Sequence, residues 1–107
     1  MFEFIESPSF ERLVYDYLDD EGYGALQAAL SHWPEAGDLI PGSGGCRKLR
    51  WNLSGKGKRG GLRVIYYVKL RDGRIWLLAI YGKSMQENVP AHVLKALKEE
   101  FVHGEND

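Results

Sequence analysis

Apolar positions along the chain follow two rhythms, one of period two and one near 3.6. Phe2, Phe4 and Ile5 with Glu3 between them read as a short strand over residues 2–5. Ser7-Pro8 then supplies an N-cap followed by proline at the first helical position. Phe10, Leu13, Val14, Tyr17 and Leu18 follow at helical spacing, so 8–18 is an amphipathic helix. Asp19-Asp20-Glu21-Gly22 separates it from a second helix, marked by Tyr23, Leu26, Leu30 and Trp33 and stopped by Pro34. The break is short enough for the two to form a helical hairpin. Residues 34–45, rich in glycine and proline, read as a loop.

The rhythm then changes to two. In 46–53, Arg47, Leu49, Trp51 and Leu53 face one way and Lys48, Arg50 and Asn52 the other. A second glycine-rich loop spans Ser54 to Gly61. Val64, Ile65, Tyr66, Tyr67 and Val68 make 62–70 a strand, and Asp72-Gly73 is a hairpin signal. The next strand, 74–81, is apolar on both faces and is expected to be central. Ser84-Met85-Gln86-Glu87 has the form of a capping box. Val89, Val93, Leu94, Leu97 and Phe101 mark a C-terminal helix, with 104–107 expected to fray. The order β-α-α-β-β-β-α predicts one α+β domain over 1–107, an antiparallel sheet packed on a helical hairpin with a C-terminal helix.

Size and composition agree with a single folded domain that needs neither disulfide nor metal to build its core. No apolar run approaches the roughly 20 residues that span a bilayer. The acidic N-terminus is too short for a signal peptide, and the single Cys46 excludes an internal disulfide, so a cytoplasmic protein is expected.

Charge changes the picture. Residues 46–83 hold eleven Lys/Arg and one acid, a block of +10. Residues 1–45 hold nine acids and one base, Arg12, and residues 84–107 hold five acids and two bases. A near-neutral chain has gathered its positive charge in one stretch of strand, and such a field attracts polyanions. Lys56, Lys58 and Arg59 sit on a loop freed by Gly55, Gly57, Gly60 and Gly61, able to wrap a phosphate with N–H groups and cations. Pairing across the hairpin brings Arg63 near Lys83. A two-residue turn at Asp72-Gly73 sets Arg63 opposite Gly82, and a three-residue loop sets it opposite Lys83. Two cations so placed repel unless an anion joins them. Lys69, Arg71 and Arg74 are ordinary solvated charge, and Trp51, Tyr66, Tyr67 and Trp76 serve the core before they serve base stacking.

Other chemistries find little support. His32, His92 and His103 lie outside the basic block, and the acids sit on helices and turns in no metal-ligating pattern. Neither glycine-rich loop has the Gly-Lys-Ser/Thr of a P-loop. No cofactor or metal is expected.

The runs Gly44-Gly45-Cys46-Arg47-Lys48-Leu49-Arg50-Trp51, Gly55 to Tyr67 (GKGKRGGLRVIYY) and Leu78-Ala79-Ile80-Tyr81-Gly82-Lys83 resemble the RelE/ParE toxin superfamily, in its HigB-like branch. The resemblance implies a toxin of a type II toxin–antitoxin system: an mRNA interferase that enters the 30S A site of the ribosome and cuts translated mRNA. It also implies a cognate helix-turn-helix antitoxin, HigA-like, through which alone the toxin meets operator DNA. By position, Arg63 matches the family's catalytic strand arginine. Lys48 and Arg50 match its basic pair, joined here by Arg47, and Lys83 matches its later lysine. Lys56, Lys58 and Arg59 match the basic loop. Ser84 stands where many relatives carry another arginine, and Pro90 where some carry a tyrosine, so a tyrosine role falls to Tyr81.

Such an enzyme uses the RNA's own 2′-OH as nucleophile and needs no metal. The protein orients it in line, takes its proton and stabilises the phosphorane. A fixed, forked guanidinium suits the last task. The alternatives are a ParE-like gyrase inhibitor on the same fold, a non-catalytic RNA-binding module, and an inactive toxin kept for antitoxin binding.

Overall fold

The computed structural model describes residues 2–52, 61–83 and 89–106. Among the described residues, three helices and a five-stranded mixed sheet make an α+β fold. The elements run β1 Glu3–Glu6, α1 Pro8–Tyr17, α2 Asp20–His32, β2 Asp38–Leu39, β3 Arg47–Trp51, β4 Leu62–Lys69, β5 Arg74–Gly82 and α3 Ala91–Asn106. Across the sheet the order is β1-β5-β4-β3-β2.

The expected cap explains the first helix, and a second cap, at Asp19, starts α2 inside the break expected at 19–22. Ser7 caps α1, its Oγ accepting from the N–H of Phe10 at 3.0 Å. Asp19 caps α2, accepting from the N–H of Gly22 at 2.8 Å. Ser7 does more. Its N–H donates to Leu77 O at 2.9 Å and its hydroxyl donates to Leu78 O at 2.9 Å. One residue thus starts a helix and holds two successive carbonyls of β5. Those carbonyls lie at a β-bulge: Ile65 pairs with Ala79 and Tyr66 with Leu77, leaving Leu78 unopposed.

The sheet departs from the expected antiparallel arrangement. β1 runs parallel to β5, with Phe4 opposite Ile75 and Ile5 opposite Trp76. A four-residue strand carries no signal of its direction, which the path through α1 decides. The expected loop 34–45 contains β2, whose two residues pair antiparallel with β3. The 72–73 turn also differs. Leu70–Asp72 forms a 3₁₀ turn, Gly73 takes φ 66°, and Lys69 pairs with Arg74. The longer loop and the bulge together set Arg63 opposite Tyr81, neither Gly82 nor Lys83.

Two cores form, one on each sheet face. Phe10, Val14, Leu26 and Leu30 from the first two helices pack on Val64, Tyr66, Ile75 and Leu77. On the other face Cys46, Ile65, Trp76 and Leu78 meet Leu94 and Val102 of α3. The strand β5 is therefore apolar on both sides, as its composition requires. α3 deviates from its expected apolar stripe. Leu94 is 5% exposed, but Leu97 is 51% exposed, and Val89 and Val93 also face out. The helix rests on its Leu94–Val102 edge instead of its Val93–Leu97 ridge. Its backbone stays helical to Asn106, past the point where fraying was expected. The capping box at 84–87 lies outside the described residues.

Candidate nucleic-acid interface

Strand alternation decides which basic side chains share a face. On the α3 face, β3 presents Lys48 and Arg50, β4 presents Arg63 and Ile65, and β5 presents Ala79 and Tyr81. Lys48 pairs with Ile65, and Arg50 pairs with Arg63, which pairs with Tyr81. Arg50, Arg63 and Tyr81 therefore form one transverse row over three adjacent strands. Neighbouring strands lie about 4.8 Å apart, so Arg63 stands one strand spacing from Arg50 on one side and from Tyr81 on the other. Arg63 is half-buried, and its Nη1 donates to Leu62 O at 3.3 Å, which steadies the head near the strand it grows from. Arg50 is exposed and Lys48 half-buried.

The bulge is what admits Tyr81 to this row. A strand without Leu78 as an extra residue would move the side chains beyond it to the opposite face. The Ser7 hydrogen bonds to Leu77 and Leu78 carbonyls hold that irregularity in place.

Lys83 follows Tyr81 by two residues. Its backbone N–H donates to Gly61 O at 3.2 Å, which extends the β4–β5 ladder, and its side chain is exposed. It stands at the same end of the sheet as the row. Lys56, Lys58 and Arg59 lie outside the described residues.

Arg47 is not brought to this surface. Its neighbour across β4 is Tyr66, on the helical-hairpin face. Its Nη1 donates to Gly37 O at 2.7 Å and to Glu35 O at 3.1 Å, and Nη2 lies 3.9 Å from Glu35 Oε2. Tyr66 completes the clasp, accepting from the N–H of Gly37 at 2.9 Å and donating to Pro34 O at 2.8 Å. Burial pushes the Tyr66 hydroxyl above its ordinary pKa, so it stays a donor. Arg47 and Tyr66 tie the loop after α2 to the sheet. The other aromatics also serve packing: Trp76 is buried beside Tyr67, ring centroids 5.9 Å apart, and Lys98 Nζ lies 4.6 Å from the Tyr67 centroid.

Next to the row the sheet is left partly uncovered. A groove of about 960 Å³ runs between α1 and α3. Ile65, Ala79 and Tyr81 line its sheet side, and Leu97 and Phe101 its α3 side. Lys48 stands in it as well, and Tyr81 belongs to both the groove and the row. α1 contributes Ser9, Arg12, Leu13 and Tyr17, which sequence reasoning assigned no role at the site. The available signal was the isolation of Arg12, the one base among the nine acids of residues 1–45. Among the described residues no group of His, Cys, Asp or Glu could hold a metal ion. No described helix is long and apolar enough to cross a membrane.

No protein-family model matches the chain.

Proposed function

We propose that this chain is the toxin of a type II toxin–antitoxin system, with RelE-like topology and HigB-like chemistry, acting in the cytoplasm as a ribosome-dependent mRNA endoribonuclease. The reading is supported by the register that lines up Arg50, Arg63 and Tyr81 on an uncovered part of the sheet beside Lys48. Permanent cations and a phenol on a rigid sheet are what cleavage through a 2′-OH requires of a protein.

In this mechanism Arg63 and Arg50 hold the non-bridging oxygens of one phosphate. The 2′-oxygen attacks phosphorus in line and surrenders its proton to the neutral amine of a lysine, Lys83 or one of the loop lysines Lys56 and Lys58. The bond to the 5′-oxygen breaks, and that oxygen takes a proton from Tyr81. The products are a 2′,3′-cyclic phosphate and a 5′-hydroxyl. Charge builds on the phosphorane while the guanidiniums stay fixed, so they bind the transition state more strongly than the ground state. Lys48 and Arg59 hold the flanking strand, together with whichever of Lys83, Lys56 and Lys58 do not take the proton. A cognate antitoxin neutralises the toxin by covering this positive surface.

The test is induced expression of wild type, Arg63→Ala and Lys83→Ala, with primer extension on translated and untranslated copies of one mRNA. Wild type should arrest growth and cut only the translated copy, with both variants defective. Arrest and codon-phased cuts persisting in both variants would refute the site. A DNA-damage response without mRNA cuts would place the protein with gyrase inhibitors instead.

A further inference from the structure

The most acidic part of the chain puts its only base into the groove. α1 turns the stripe Ser9, Arg12, Leu13 and Tyr17 toward it, the i, i+3, i+4, i+8 spacing of one helix face. The α1 acids Glu11 and Asp16 do not line it. Arg12 is exposed and makes no ion pair among the described residues, where the ion pairs are Arg47–Glu35, Lys69–Asp72 and Arg74–Glu3. Lys48, on the sheet side of the same groove, makes none either. Among the described residues, two cations without an ion pair thus stand on different walls, against one lining acid, Glu100. Between them lie apolar side chains and the rings of Tyr17 and Tyr81.

A ligand matching this lining carries repeated negative charge along one edge and flat apolar groups along the other. Single-stranded RNA has that form, with phosphates for the cations and bases for the apolar wall. The groove is also continuous with the Arg50–Arg63–Tyr81 row through Lys48 and Tyr81, so a strand held on the row has the groove as its next step. We propose that the groove between α1 and α3 holds the nucleotide flanking the scissile phosphate, and that Arg12 binds its phosphate. This rests on the nuclease reading and adds a binding residue from outside the basic block.

The experiment measures binding of a labelled ten-nucleotide single-stranded RNA across a salt series, for wild type, Arg12→Gln, Arg12→Lys and Arg63→Ala. One lost phosphate contact lowers the slope of log affinity against log salt by about 0.7. Arg12→Gln should show that loss and Arg12→Lys should not. In the translation-coupled cleavage assay Arg12→Gln should raise KM severalfold and leave kcat unchanged, the pattern of a lost ground-state contact. An Arg12→Gln slope equal to wild type, with Arg63→Ala reduced, overturns the inference and leaves the nuclease reading standing. Salt-independent RNA binding by wild type removes both. Arg12-dependent binding of an oligoglutamate peptide, with RNA binding insensitive to Arg12, assigns the groove to a protein partner and also overturns it.

Discussion

The two faces of the sheet are built to different ends. Against the helical hairpin, Val64, Tyr66, Ile75 and Leu77 are covered by side chains from both helices, and even the charged Arg47 on that side is spent on backbone carbonyls. Against α3 the cover is partial. One helix rests on Leu94 and Val102, and the sheet beyond it carries Lys48, Arg50, Arg63 and Tyr81. The same strands supply both faces, so the contrast comes from alternation, in which each residue that packs inward sends its neighbours outward, and from the one bulge at Leu78 that turns Tyr81 to the open side. A closed face provides stability, and that stability permits the open face to keep like charges together.

That comparison can be broken by mutation. The largest expected effect is on the closed face. Phe10→Ala removes a fully buried ring and should cost about 3–5 kcal/mol in urea unfolding, near the whole stability of a small domain. On the open face Arg63→Ala should lower cleavage by about 10²–10³-fold with an unchanged unfolding midpoint. A large loss of stability in that variant would show Arg63 to be structural and erase the distinction.

Ser7→Ala tests the join between the faces. It removes the α1 cap and the bond to the bulge carbonyl of Leu78, and should cost about 1–2 kcal/mol. Cleavage should fall as well, because the bulge orients Tyr81, whereas loss of the cap alone would affect stability only.

A smaller effect is expected at alkaline pH. Tyr23 donates to Glu6, and burial, followed by that carboxylate, raises its pKa well above the ordinary value of 10.0. The folded chain thus holds this proton more tightly than the unfolded one. The associated stability is full below pH 10 and falls as pH rises above it. Unfolding midpoints taken from pH 8 to 11 should decline less steeply in Tyr23→Phe. Tyr15 and Tyr66, also raised, should leave part of the decline in place. The smallest effect belongs to α3: Leu97→Gln, at an exposed position, should change stability by no more than about 0.5 kcal/mol.

Much of the candidate site was legible from the residues. The alternation that sets Lys48 and Arg50 together and sends Arg47 to the other face can be counted along the strand. The exact partner of Arg63 was not legible, because it depends on a 3₁₀ turn at Leu70–Asp72 and on the bulge at Leu78. Nothing in Leu77-Leu78-Ala79 marks a bulge, and the hydroxyl that binds its carbonyl belongs to Ser7, 71 residues away from Leu78. Arg12 was hidden for the same reason, since only the fold brings α1 and α3 to line one groove.

Local order determined what the amino acids could settle between near neighbours: where helices start, which strand residues share a side, and where positive charge accumulates. Caps, periodicity and charge density act over a few residues and need no partner to be read. Only the tertiary structure decided the parallel docking of β1, the pairing of Arg63 with Tyr81, the rotation of α3 onto Leu94 and Val102, and the arrival of Arg12 in the groove that Lys48 also lines. Each of these depends on contacts between segments far apart in the chain, where the best-packed arrangement of the whole outweighs the preference of any one segment.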